Sequence, residues 1–321
     1  VSVWWRLLRS NHFDVSISRL PTALMITLFS LNNSALGFVQ RLIYDRQIKH
    51  TKIESGPIFV VGHYRSGTTM LQELLCSDPR FTFPTTYECF SPHHFLVTER
   101  LFAWWLKLIL PAQRLADRML QGPDRPQEDE AAMCCFGLPS RFHRFAFPNR
   151  QHGDQVNPNL DLLTARQRQD WKETFEYFLK AVTLRRPLPI VLKSPQHTCR
   201  IRHLAEMFPD ARFVYIVRDP YVVFPSTVRL WKVIHESQAL HEPNHRGLDE
   251  LVLREFAEMH QLVERDRNGL DPSRFCEVHY EDLVADPIHE LQAIYRQLQL
   301  GDFAPARSSV EQYLTQTSDY Q

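Results

Sequence analysis

The sequence predicts an α/β domain: a mostly parallel central sheet with helices on both faces and a largely helical insertion capping one rim. Three observations carry this. Short β-rich apolar runs recur at 57–62, 189–193, 212–217 and 275–280, and stretches with helical periodicity follow them. No internal repeat, low-complexity tract or long charged run divides the 321 residues, so the chain reads as one domain, 1–321. Glycine is scarce, 10 in all, yet Gly62 and Gly67 bracket the short loop after the first strand.

Taken in order, residues 1–52 read as helical. The apolar run 23–31 within them is about half as long as the roughly 20 residues a membrane span needs. Asn32 and Asn33 close it, so neither a transmembrane helix nor a signal peptide is expected. The strand 57–62 leads through the glycine-bracketed loop into a helix from Thr68 to Leu75. The strand 189–193 leads to a helix over 197–207 with Ile201, Leu204, Ala205 and Phe208 on or near its apolar face. After 212–217, Pro220 stands where a helix can begin. The last run leads to a helix over 287–300. Segments 53–79 and 189–300 thus form the core, and 80–188, with helical patterns broken by prolines, is the capping insertion. In a parallel sheet with right-handed crossovers, ligands bind beyond the carboxyl ends of the strands. The loop after Gly62, Lys193, Arg218 and Tyr280 are therefore expected along one rim.

Composition excludes several functions. Lys plus Arg and Asp plus Glu each number 37, giving zero formal net charge, so a broad cationic surface for nucleic acid is not expected. With 44% hydrophobic and 23% charged residues the chain is an ordinary globular one. The six cysteines show no zinc or redox spacing, which points to free thiols in the reducing cytoplasm and to no metal. A second apolar stretch, 101–110, with Phe102, Trp104 and Trp105, reads as a peripheral membrane contact, as packing against the domain, or as a wall around a hydrophobic acceptor. The sequence carries no signal for oligomeric state.

The loop holds the chemistry. The segment 62–69 keeps the G-x-x-x-x-G spacing of a phosphate-binding loop, but Thr68 stands where that loop has lysine. Backbone N–H groups at a helix N-terminus still attract an anion, because they are unpaired donors at the positive end of the dipole. The nearby cation is Arg65. No apolar strand ends in a convincing magnesium-binding aspartate; Asp219 follows an arginine. The loop thus suits a single phosphate with a neighbouring anion better than a triphosphate with its metal.

The run Arg65-Ser66-Gly67-Thr68-Thr69 after a strand resembles the 5′-phosphosulfate loop of the sulfotransferases that use 3′-phosphoadenylyl sulfate (PAPS). Residues 213–220, with Arg218 at the strand end and Ser226 beyond it, are similar to that family's 3′-phosphate site. Leu192-Lys193-Ser194-Pro195 resembles its lysine strand, and Tyr280-Glu281-Asp282-Leu283 its adenine-contacting segment. The four matches fall in the family's order between 57 and about 300. The cap segments 84–90 and 126–130 look most like the bacterial-type, uncharacterised branch.

The resemblance implies a P-loop-like domain that moves a sulfuryl group from PAPS to a hydroxyl or amine of a glycan, lipid or other small-molecule acceptor, leaving adenosine 3′,5′-bisphosphate. It implies that Ser66, Gly67, Thr68 and Thr69 hold the 5′ side, Arg218 and Ser226 the 3′ phosphate, and Tyr280 the adenine. Arg65 and Lys193 would stabilise the leaving oxygen. For the base it offers Glu88, placed like the glutamate of glycan and tyrosine sulfotransferases, or His197. The cytosolic enzymes carry a histidine two residues after their lysine, where this chain has Pro195. Glu128, Asp129 and Glu130 read either as a solvated helix start or as acceptor recognition, and His93 and His94 divide the same way. Family members continue with a basic or glycine-containing segment past the point where this chain stops, so part of the nucleotide site is expected to be absent. A P-loop kinase or nucleotidase, and an inactive nucleotide-binding scaffold, are the competing readings. Retention of Arg65, Glu88, Lys193 and Arg218 together favours an active enzyme.

Overall fold

The computed structural model describes residues 1–53, 55–109, 121–150 and 156–316; Leu110, the Trp105 side chain and the chain end 317–321 lie outside it. Four strands, β1 (Ile58–Gly62), β2 (Val191–Lys193), β3 (Arg212–Val217) and β4 (Phe275–His279), form one sheet in the order β2-β1-β3-β4. Every pairing is parallel, as the repeated strand and helix units predict. Val60 pairs with Lys193, Gly62 with Ile216 and Val217 with His279, which brings the carboxyl ends together.

The helices are α1 (Ser2–Ser10), α2 (Leu20–His50), α3 (Thr68–Cys76), α4 (Thr86–Phe90), α5 (Phe95–Ile109), α6 (Glu130–Phe136) and α7 (His143–Ala146) before β2, with α8 (Ala165–Arg185) the last of these. After β2 come α9 (Ile201–Met207), α10 (Pro220–Gln238), α11 (Leu248–Arg267), α12 (Tyr280–Ala285), α13 (Pro287–Gln297) and α14 (Ala304–Gln316). Strand side chains alternate between two buried layers. Phe59, Val61, Leu192, Phe213 and Tyr215 meet Trp171, Phe175 and Phe178 of α8. Ile58, Val60, Val191, Val214 and Ile216 meet Leu71 and Leu74 of α3 and Leu291 and Ile294 of α13. Burial on both faces is why these strands read as continuous apolar runs. Edge strand β4 instead alternates, with Cys276 and Val278 buried and Glu277 and His279 exposed.

Three details depart from the sequence expectation. Residues 165–185, grouped above with the cap, are a core layer, because the aromatic face of α8 lies on the sheet. The helix expected over 197–207 is split: a tight turn over Pro195–Cys199 precedes α9, and Arg200, with φ −130 and ψ 9, breaks the helix between them. The third concerns Asn32 and Asn33, which do not end an apolar run. The 31-residue α2 passes straight through them, because Asn33 turns inward to His94 and its polarity is satisfied there.

Candidate active site

The loop between β1 and α3 is shaped by three left-handed or near-forbidden backbones: Gly62 at φ 150, Arg65 at φ 68 and Gly67 at φ 99. At Gly62 a Cβ would lie 2.6 Å from the Ile216 carbonyl oxygen, and at Gly67 one would lie 2.3 Å from Cδ2 of Tyr280. The backbone therefore approaches both neighbours as only glycine permits. The loop is also pinned. Ser66 N and Oγ both donate to the His63 carbonyl (3.2 and 2.7 Å). Thr198 Oγ1 donates to the Gly62 carbonyl at 3.1 Å and accepts from Gly62 N at 2.8 Å. Thr227 Oγ1 reaches the Tyr64 carbonyl at 3.3 Å. Gly67 brings no side-chain cap to α3, so the first-turn N–H groups stay directed at the rim. Burial pushes the His63 imidazole down to about 4, so its ring is neutral at ordinary pH and the loop's cation is Arg65.

Gly67→Ala is expected to lose at least ~1–2 kcal/mol of stability, since an alanine meets both the left-handed backbone and the Tyr280 ring. Urea denaturation measures it; an unchanged midpoint would show that the ring yields freely.

Around this loop the structure gathers the residues singled out at the ends of the other strands. Arg65 Nε donates to Ser226 Oγ at 3.0 Å, and Arg218 Nη1 donates to the Arg65 carbonyl at 3.1 Å. The Arg218 guanidinium lies 4.0 Å from the Tyr280 ring centroid, a cation–π contact, and the same ring closes against Gly67. Arg65 thus holds its strained conformation with both its side chain and its carbonyl engaged, the kind of stored strain that gathers at functional sites. Ser226 arrives from α10, which opens where Asp219 Oδ1 accepts from Tyr221 N at 2.8 Å.

On the other side of β1, Lys193 ends β2 with its side chain fully buried, and Nζ donates to Glu128 Oε1 at 2.7 Å. This is the first rung of a ladder. His197 Nε2 lies 2.6 Å from Asp129 Oδ2, and Arg200 Nη1 donates to Glu130 Oε2 at 2.5 Å. Three consecutive acids at the start of α6 thereby meet three partners spaced four and three residues apart. Burial would raise the Glu130 carboxyl, but Arg200 more than offsets it and holds it below the ordinary carboxylate range. Both inner rungs are sealed, while Glu128 keeps 17% of its side chain exposed.

Of the two candidates for the base, Glu88 lies on α4 and His197 is the middle rung of the ladder. The Glu88 side chain is fully buried; its Oε2 accepts from Thr85 N at 2.8 Å, closing a capping box on α4, and from Arg186 Nη2 at 2.7 Å. Its Oε1 has no partner among the described residues. His197 lies edge-on to Phe59 and Phe175, each 5.5 Å between centroids, inside the core layer. His94 bridges Thr98 and Asn33, and His93 Nε2 lies 3.2 Å from the Cys135 carbonyl. Sequence reasoning missed the ladder. The signal available was the pair of triplets itself: three acids in a row at 128–130, and Lys193, His197 and Arg200 four and three residues apart just after β2.

A family model described as the sulfotransferase family matches residues 57–305. The omega-hydroxy-beta-dihydromenaquinone-9 sulfotransferases Stf3 of Mycobacterium bovis and Mycobacterium tuberculosis are each 42% identical to this chain over 319 residues, spanning 99% of it and 82% of their own length. Among solved structures, STF1 from Mycobacterium tuberculosis superposes with a TM-score of 0.72 at 18% identity, covering 97% of this chain and 85% of that one. STF9 from Mycobacterium avium gives 0.71 at 21% identity, covering 87% and 72%. At those identities the two structures speak for the fold, while the family match and the Stf3 relatives speak for more: this chain belongs to the sulfotransferase family.

Proposed function

We propose that the chain uses PAPS as its donor and sulfates a hydroxyl carried by a hydrophobic, membrane-derived lipid. One observation carries the donor reading. Arg65, Ser226, Arg218 and Tyr280 converge around the uncapped start of α3, at the rim where a parallel sheet binds ligands. The absence of a Cβ at Gly67 lets the Tyr280 ring close on the loop, and an arginine with a hydroxyl beside it suits a phosphate dianion. The acceptor reading draws on the likeness to Stf3, whose name specifies an omega-hydroxylated menaquinone.

When bound, the donor supplies an activated sulfuryl group and departs as adenosine 3′,5′-bisphosphate. In this reading Ser66, Gly67, Thr68 and Thr69 hold its 5′ side, Arg218 and Ser226 its 3′ phosphate, and Tyr280 packs on its base. Arg65 and Lys193 meet negative charge as it grows, which is where fixed cations lower a barrier. Glu128 takes the proton from the acceptor hydroxyl: it is the rung of the ladder that faces outward, and it is hydrogen-bonded to the lysine of the reacting end. Glu88 and His197, each buried in an internal pair, then hold the cap in place.

At a hundredfold excess over its Kd, adenosine 3′,5′-bisphosphate is expected to stabilise the fold by ~2.7 kcal/mol in a thermal shift, with ATP well behind. No shift, or an equal one with ATP, would remove the donor reading. With labelled PAPS, a short-chain omega-hydroxy quinol is expected to take up label; labelling of sugars alone would remove the lipid reading.

A further inference from the structure

The long helix α2 is built inside out for a water-exposed surface. Leu24, Leu28, Leu31, Phe38 and Leu42 recur every three, four or seven residues along one stripe, and each is more than half exposed. Three polar side chains turn the other way, while Asn32 and Ser34 stay exposed. Asn33 Oδ1 lies 3.0 Å from His94 Nε2, Gln40 Oε1 accepts from Leu96 N at 2.8 Å, and Thr27 Oγ1 accepts from Trp4 Nε1 at 2.9 Å. Gly37 brings the helix so close that a Cβ would lie 3.1 Å from the Cβ of His93. A surface helix in water shows the opposite arrangement, with its apolar stripe inward. The exposed stripe is long and contiguous, and α5, which packs on α2, adds exposed Leu101, Phe102 and Trp104.

Charge identifies what covers it. Residues 20–40 hold no Asp, Glu, Lys or Arg, and Arg19 and Arg41 bound them. The first 50 residues carry six Lys and Arg against two Asp and Glu, in a chain balanced at 37 against 37 overall. An apolar stripe edged by excess positive charge is complementary to an anionic lipid surface. The uncharged stretch is about 30 Å long, enough to span a bilayer by length. Its inward hydrogen bonds to α1 and to the start of α5, and its packing on α8, tie it along the domain instead.

We infer that α2 and the exposed side of α5 form an in-plane docking surface for an anionic lipid bilayer. This deepens the lipid-acceptor reading by naming where the acceptor is drawn from. α5 packs on α4 and α4 on α6, at whose start Glu128 pairs with Lys193, so the lipid-facing layer is continuous with the acceptor side of the site.

Vesicle flotation of the full chain tests it, with phosphatidylglycerol mixed into phosphatidylcholine against phosphatidylcholine alone. The wild type is expected to float with the anionic vesicles. The triple variant Leu24→Asn, Leu28→Asn and Phe38→Asn is expected to partition at least ~10-fold more weakly, since three apolar side chains no longer enter the lipid. Wild-type protein that ignores both vesicles, or a folded variant that floats equally well, overturns the inference. So does a wild-type dimer in buffer that the variant disperses, because a second copy would then be the occupant. Should the variant fail to fold, lipids brominated on their acyl chains are expected to quench wild-type tryptophan fluorescence, and no quenching overturns the inference by itself. Turnover of a soluble short-chain acceptor separates the two readings. The variant is expected to keep it within about twofold. A chain that floats but transfers no sulfuryl group leaves the docking surface standing and the activity refuted.

Discussion

Glu128→Gln is expected to lower kcat by about 10²–10⁴-fold while the thermal shift with adenosine 3′,5′-bisphosphate stays near the wild-type value. The substitution removes the proposed proton acceptor and keeps an oxygen that can accept from Lys193 Nζ, so the buried lysine is not stranded. Its partner experiment is Glu88→Gln. Glu88 Oε2 serves Thr85 N and Arg186, so that change is expected to act mainly through stability, with kcat of the folded fraction within about tenfold. A Glu128→Gln enzyme that turns over normally would move the base elsewhere, and a selective kcat loss in Glu88→Gln would say where.

Arg200→Met is expected to destabilise the protein by about 3–5 kcal/mol in denaturant unfolding. Both side chains of the Arg200 and Glu130 pair are fully buried, and the guanidinium also donates to the Pro158 carbonyl at 2.8 Å and lies 4.7 Å from the Trp171 ring centroid. Removing the arginine leaves a fully buried carboxylate without its salt-bridge partner. The double change Arg200→Met with Glu130→Leu is expected to recover most of the loss, because a buried pair replaced by packed apolar groups is often neutral. The pair also sets an acid limit. The Glu130 carboxyl is depressed in the folded state, so its contribution is present above the ordinary value of 4.5 and is lost as pH falls through the depressed one. The double variant is expected to lack that acid-side loss. Equal stability of Arg200→Met and wild type would show that the rung contributes little.

Much of this was legible in the sequence, for reasons that differ by residue. Strands β1, β2 and β3 were readable because burial on both faces leaves little polar alternation, and β4 by its alternation. The rim followed from topology alone: parallel strands with glycine, lysine, arginine and tyrosine near their ends must bring those residues to one edge. What sequence reasoning handled less well depends on distant partners. Glu88 and His197 have the right chemistry for a base, but Arg186 and Asp129, far along the chain, engage both inside the protein. Asn32 and Asn33 read as a break because polarity in an apolar run normally faces water. Asn32 does face water, but His94, 61 residues beyond Asn33, draws the Asn33 amide inward, and the helix runs on with its leucines facing out.

The acid ladder has a consequence for how acceptor choice can change. Edge strand β2 is only three residues long, and the turn and helix that follow it are fastened to the cap through 128–130. A cap taken from another sulfotransferase must therefore bring acids that match Lys193, His197 and Arg200, or the recipient keeps buried donors without acceptors in its interior. The triplet works as a graft junction. If the cap shapes the acceptor side as proposed, stretches away from the junction are the ones expected to exchange as a cassette, while the junction itself travels only with its own partners.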